Sequence, residues 1–126
     1  MRTLASLALG LALLPATSAL AGSHFLYTAP AYHFYPAEQT LYCDIVNVSS
    51  KPVNVTINTV DYATGSVVLT LGPTTIAPGA GQALGDPSSS SPSAYCKFTV
   101  DTATKNVRAG AFYDNGTAYT VAIPAQ

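Results

Sequence analysis

Apolar and polar residues alternate with a period of two in four stretches of the chain, 41–46, 53–58, 95–100 and 118–123. A period of two places successive side chains on opposite faces of a β-strand, so each stretch predicts a strand with one buried and one solvated face. Residues 66–71 and 106–113 are also β-prone, although their alternation is less regular. Helical periodicity is nearly absent beyond the first 21 residues, and the pattern therefore predicts an all-β protein.

Turn-forming residues separate these stretches, at 49–52, 61–65, 78–79 and 114–116. Asn115-Gly116 is the sharpest signal, because both residue types tolerate the positive φ values of a type I′ hairpin. We therefore expect residues 106–113 and 117–123 to pair antiparallel. The stretch 85–93, rich in serine and proline, predicts a loop before the strand that carries Cys96.

The first 21 residues have the pattern of a secretory signal peptide. Arg2 supplies a positive charge, residues 4–14 form an apolar run, and Ala19-Leu20-Ala21 matches a cleavage site for signal peptidase. The apolar run is shorter than the roughly 20 residues that a transmembrane helix needs. The sequence thus predicts a secreted or periplasmic protein whose residues 22–126 form a single domain, with no transmembrane segment after cleavage.

The two cysteines, Cys43 and Cys96, share the apolar parity of their strands, so both side chains are expected to face the core. Buried free thiols are the alternative, but export to an oxidising compartment favours a disulfide. A bridge between two such strands is typical of an antiparallel immunoglobulin-like β-sandwich of about seven strands. The match concerns architecture alone, since the chain has no Trp and Ala94 stands where a tyrosine corner would place its Tyr.

Three segments carry a wider resemblance: Leu41-Tyr-Cys-Asp-Ile-Val-Asn47, Tyr95-Cys-Lys-Phe-Thr-Val100 and Asn106-Val-Arg-Ala109, with a Pro-Gly turn between the first two. In this order they resemble small uncharacterised exported bacterial proteins with one disulfide and an immunoglobulin-like β-sandwich. The resemblance covers most of residues 22–126 and consists mainly of disulfide and strand positions. It implies the fold, and it implies no activity and no binding residues.

Charge excludes one class of partner. Without the leader the chain has four basic and six acidic residues, a net charge of −2, and the basic residues form no stripe. Such a surface does not suit nucleic acid or an anionic membrane.

Catalytic chemistry has little support in the sequence. The histidines are His24 and His33, no nucleophile-elbow motif frames a serine, and four aspartates (Asp61, Asp86, Asp101 and Asp114) fall at predicted turns, where Asp usually binds local backbone. We therefore expect a non-enzymatic module that binds a partner or serves a structural role, with a hydrolase as a distant alternative.

Aromatic residues cluster in the segment that follows the leader: Phe25, Tyr27, Tyr32, Phe34 and Tyr35. Tyrosine offers a rigid apolar body and a polar tip, so this segment is the candidate contact surface for a protein or a glycan. Two alternatives remain open. The rings could belong to a first strand that covers the sandwich, or the segment could add as a strand to a neighbouring subunit.

Cleavage after Ala21 would leave Gly22-Ser23-His24 as the mature N-terminus. A free amine, two backbone amide nitrogens and the imidazole of a histidine in third position together provide four nitrogens in a square plane, a geometry that suits Cu(II). A copper-binding protein that uses His24 is therefore the alternative function. No other cofactor is predicted.

Overall fold

A computed structural model describes residues 22–32, 40–87, 93–114 and 119–126, so the predicted leader lies outside the described residues. The described residues form nine strands and one 3₁₀ turn, Thr104–Asn106. The strands are β1 His24–Tyr27, β2 Ala31–Tyr32, β3 Thr40–Asn47, β4 Val53–Asp61, β5 Val67–Ile76, β6 Gly81–Asp86, β7 Ser93–Val100, β8 Val107–Asp114 and β9 Tyr119–Pro124. Within these ranges no helix has the length and apolar character needed to cross a bilayer.

The strands form two antiparallel sheets. Sheet A has the order β1-β7-β4-β5, with β2 paired to β7 beyond the end of β1, and sheet B has the order β6-β3-β8-β9. The all-β prediction is confirmed, and so is the antiparallel pairing of β8 with β9. The turn predicted at Asn115-Gly116 lies outside the described residues.

The predicted alternation holds where the two sheets face each other. Inward-facing residues of β3, β4 and β7 are almost fully buried, and their neighbours along each strand are more exposed. The largest fully buried apolar side chains are Phe98, Leu41, Ile45, Ile57, Val53, Val55 and Val100. Burial of such side chains contributes about 1.5–3 kcal/mol each to the free energy of folding, before the entropy cost of ordering them.

The predicted disulfide is formed between Cys43 of β3 and Cys96 of β7. Both cysteines are fully buried, and their Cα atoms lie 5.7 Å apart. The bridge therefore joins the two sheets through the middle of the core. An oxidised pair is compatible with an extracytoplasmic location.

Asn47 ends β3 with a fully buried side chain that binds three other residues. Its amide nitrogen donates to the carbonyl oxygens of Lys51, at 2.7 Å, and Ile76, at 3.0 Å. Its Oδ1 accepts hydrogen bonds from the backbone N–H and the hydroxyl of Ser49. One buried amide thus holds the β3–β4 turn against the end of β5.

A second group of buried polar residues lies at the opposite end of the core, and it corrects a prediction. Gly85 and Asp86, expected at the start of a loop, are the last residues of β6. The Asp86 carboxylate is buried and accepts a hydrogen bond of 2.8 Å from the hydroxyl of Thr59. Burial, and secondly the charge of Asp86, raise the pKa of Tyr113 to about 12. The prediction of a turn residue fails because Asp86 has a buried partner on another strand.

The two edges of sheet A differ. At the β1 edge, Tyr27 and Gln126 exchange backbone hydrogen bonds of 3.0 and 3.1 Å, so residue 126 covers part of that edge. At the other edge, β5 pairs with β4 alone among the described strands. A bend at Gly72 interrupts β5: its φ is +106°, and a Cβ there would lie 2.6 Å from the carbonyl oxygen of Val55. Glycine is therefore required at this position.

Candidate binding site

Sheet A carries aromatic side chains on its outer face, at one end of the sandwich. In β1, Leu26 faces the core, which turns Phe25 and Tyr27 outward, and both are roughly half exposed. In β7, Phe98 and Cys96 face the core, which turns Tyr95 outward. Tyr62, directly after β4, is also half exposed. Strand alternation therefore places these rings on one solvent-facing surface.

A short break between β1 and β2 shapes this surface. Pro30 has no N–H with which to continue the ladder along β7. Instead Thr28 holds the chain to Cys96: its backbone N–H donates to the Cys96 carbonyl at 3.0 Å, and its hydroxyl accepts the Cys96 N–H at 2.9 Å. The chain therefore stays attached to β7 while Thr28 and Pro30 form part of the wall of a depression.

This tyrosine depression has a volume of about 340 Å³ and is lined by Tyr27, Thr28, Pro30, Tyr62 and Tyr95. The rings of Tyr27 and Tyr95 lie 6.4 Å apart at their centroids and are inclined by 50°. The Tyr62 backbone N–H donates to the Ser93 carbonyl at 3.2 Å, which ties the turn after β4 to β7. None of these five described residues carries a formal charge at neutral pH.

Lys97, which pairs with Tyr27 across the β1–β7 ladder, is engaged with an aromatic ring. The ammonium of Lys97 lies 5.1 Å from the centroid of the Phe25 ring, within the range of a cation–π interaction. Phe25 therefore orients the lysine. The described lining residues offer aromatic faces, hydroxyl groups and backbone as binding groups.

Of the five predicted contact residues, Phe25 and Tyr27 lie on this outer face. The backbone of Tyr32, in β2, pairs with that of Ser93, in β7. Phe34 and Tyr35 lie outside the described residues. Sequence reasoning missed Tyr62 and Tyr95. Tyr95 did give a signal, because it is an aromatic residue at the polar parity of a clean strand.

The outer face of sheet B also has an aromatic pair, but its two rings stack on each other and leave no depression between them. The rings of Tyr42 and Phe112 stack at 5.1 Å with an angle of 14°. Tyr42 also lies over Gly85, where an added Cβ would come within 2.9 Å of the ring. Beside them, burial raises the pKa of Asp44 from its usual value of 3.8. This face uses its aromatic rings for packing.

A larger depression, of about 460 Å³, lies at the other end of the sandwich near Lys51 and Asp101. Several of its polar groups already hold the fold together. Asp101 accepts hydrogen bonds from the backbone and side-chain nitrogens of Asn54, and Ser49 binds Asn47. We therefore regard the tyrosine depression as the better candidate for a ligand.

The residues proposed for copper are accessible. Gly22, Ser23 and His24 are all exposed, and His24 begins β1 opposite Val100. His33 lies outside the described residues. Within the part of the chain that the structure describes, no three His, Cys, Asp or Glu side chains come together as a metal site.

Comparison with known proteins gives no indication of the function. No family model, no curated protein and no solved structure matches the chain. The function is therefore inferred from the residues and their arrangement.

Proposed function

We propose that this protein is a secreted or periplasmic, non-enzymatic binding module whose tyrosine depression holds a neutral glycan. The observation that carries the proposal is the convergence of Tyr27, Tyr62 and Tyr95 around one open, uncharged depression. Tyrosine rings offer flat apolar faces to the C–H groups of a sugar, and their hydroxyl groups can bind sugar hydroxyls. Binding of this kind requires no catalytic group.

The size of the depression favours a glycan over a protein. Its volume of about 340 Å³ lies at the lower end of the range of small-molecule sites, roughly 300–1,000 Å³. A stable protein partner needs roughly 800 Å² of surface on each side. The tyrosine depression by itself is too small for such an interface, whereas it can accommodate one or two sugar rings.

We propose, further, that the sandwich is a rearranged immunoglobulin-like fold. In support, the disulfide joins β3 and β7, as the inter-sheet bridge of immunoglobulin domains joins strands B and F. With β3 taken as strand B and β7 as strand F, the neighbour of β3 in sheet B, β6, corresponds to strand E of an immunoglobulin domain. The neighbour of β7 in sheet A, β4, corresponds to strand C. The difference lies at the edges, since the first strand lies beside β7, in the place of G, and β8 lies beside β3, in the place of A.

Glycan arrays with the wild type and with Tyr95→Ser test the proposed ligand. We expect the variant to lose at least tenfold in affinity for any glycan that the wild type binds, because the ring forms one wall of the depression. Tyr42→Ser is a matched control: Tyr42 also precedes the bridged cysteine of a central strand, and its ring faces the other side of the sandwich.

The proposal fails if neutral glycans do not bind, or if Tyr42→Ser weakens binding as much as Tyr95→Ser does. A wild type that captures a defined protein, and loses it with Tyr95→Ser, would replace the glycan by a protein partner. Urea unfolding of both variants separates loss of the site from loss of the fold.

Copper binding at Gly22-Ser23-His24 is a second proposal, supported by the exposure of all three residues. Cu(II) would take the backbone nitrogens of Ser23 and His24, so it would compete with the first ladder pair of β1. Protein with a sequenced N-terminus at Gly22 should give a visible absorption band with Cu(II), and His24→Ala should abolish it. A band that His24→Ala leaves unchanged, or the absence of any band, contradicts the proposal.

A further inference from the structure

The open edge of sheet A is the strand β5, Val67–Ile76, and it contains an unusual surface. Seven of its ten residues are exposed, among them the consecutive apolar residues Val67, Val68 and Leu69. Strands at the edge of a sheet present unpaired backbone N–H and C=O groups, which match the edge of another strand. The backbone itself therefore specifies what kind of element can cover this surface.

Natural edge strands commonly carry charges that prevent pairing with another chain. The chain from Tyr62 to Gly85, which includes β5 and most of β6, has no Lys, Arg, Asp or Glu. The bend at Gly72 and the missing N–H of Pro73 interrupt the edge, but they lie beyond Leu71. Residues 67–71 therefore remain as an uncharged edge, about 17 Å long, with one irregularity at Val68, where the register of β5 on β4 shifts.

The same segment in a second copy is the occupant that this edge fits best. Two uncharged edges approach without electrostatic repulsion, and antiparallel pairing of identical strands produces a closed two-fold dimer. Pairing would also cover Leu69, which lies opposite the inward-facing Thr59 and yet remains exposed at the open side of the sandwich.

We propose that the protein self-associates through β5, with residues 67–71 of two copies paired antiparallel, so that sheet A continues from one copy into the other. This inference is independent of the tyrosine depression. A five-residue strand pair covers less surface than a standard interface of roughly 1,600 Å². The dimer is therefore weak and depends on concentration.

Sedimentation analysis of the disulfide-bonded protein, from about 1 μM to about 1 mM, tests the proposal against two lysine pairs. Val67→Lys/Val68→Lys places charges on the β5 edge and should raise the dimer dissociation constant at least tenfold. Val46→Lys/Val48→Lys adds the same charges on and beside the central strand β3 and should change that constant less than twofold. The two pairs are comparable, because the valines are 55% and 44% exposed in β5 and 37% and 51% exposed in the control.

Hydrogen exchange of the wild type gives a readout that does not depend on any variant. Amides within residues 67–71 should gain protection as the concentration rises, while those of β3 stay unchanged. A monomer at every concentration overturns the proposal. So does a dimer that the β5 lysines leave intact, or one whose concentration-dependent protection lies elsewhere.

Discussion

Strands β3 and β7 contain the same short motif, a tyrosine followed by a bridged cysteine, and they use it differently. In β3, Tyr42 stacks on Phe112 and lies over Gly85. In β7, Tyr95 meets an inclined Tyr27 beside the break between β1 and β2, where a depression opens. The tyrosine alone does not determine whether its ring packs against the sheet or lines a binding site. The residues that strand pairing places beside the tyrosine determine this.

The two strands share the disulfide, and its removal gives the largest expected effect. Cys43→Ala/Cys96→Ala should lower the free energy of unfolding by about 4 kcal/mol, because the closed loop no longer restricts the unfolded chain. Urea unfolding measures the change. A loss below about 1 kcal/mol would mean that the bridge adds little to a sandwich that packing already holds.

The strand ends give the next largest contrast. Asn47→Ala should cost about 2–3 kcal/mol, since it leaves the buried carbonyl of Ile76 and the partly buried N–H of Ser49 without their partner. Asp101→Ala, after the end of β7, should cost about 1 kcal/mol, because its hydrogen bonds to Asn54 are exposed to water. Equal costs in chemical denaturation would show that burial does not separate the two strand ends.

Tyr113, on β8 beside β3, tests the interior of sheet B at alkaline pH. Between pH 10 and its pKa of about 12 the unfolded chain releases the phenolic proton and the folded chain retains it, so stability falls as pH rises. The full loss corresponds to roughly 2–3 kcal/mol. Tyr113→Phe should flatten this slope in unfolding curves between pH 9 and pH 12, and an unchanged slope would contradict the assignment to Tyr113.

The smallest effect concerns the residue that follows Cys43. Since burial raises the pKa of Asp44, the folded state disfavours the charged carboxylate, and this cost grows as pH rises through that pKa. Asp44→Asn should therefore raise the free energy of unfolding at pH 7 by about 0.5 kcal/mol or less, and by nothing at pH 3. A variant that is less stable at pH 7 would show that the carboxylate stabilises this face.

Alternation in the sequence predicts β3, β4 and β7, because each has one buried face and one face toward water. It does not predict β6, whose sequence Gly81-Gln-Ala-Leu-Gly-Asp86 lacks β-branched residues and places a carboxylate in the core. The buried carboxylate of Asp86 accepts a hydrogen bond from the hydroxyl of Thr59, which is 27 residues away along the chain. No local pattern contains such a partner.

The candidate site shows the same limit. Phe25 and Tyr27 stand out in the sequence as members of an aromatic cluster. Tyr95 joins them because the register pairs β1 with β7, and Tyr62 joins them because its backbone N–H binds Ser93. Pairing between distant strands assembles the depression, so sequence spacing identified only its N-terminal part.

The buried amide of Asn47 has a consequence for producing the protein in a eukaryotic host. Asn47-Val48-Ser49 matches the acceptor sequence for N-linked glycosylation. In the folded protein the amide nitrogen donates to two carbonyl oxygens inside the structure, which leaves no room for a sugar. A chain glycosylated there before folding could not close the β3–β4 turn, so natively folded material from such a host must be unmodified at Asn47.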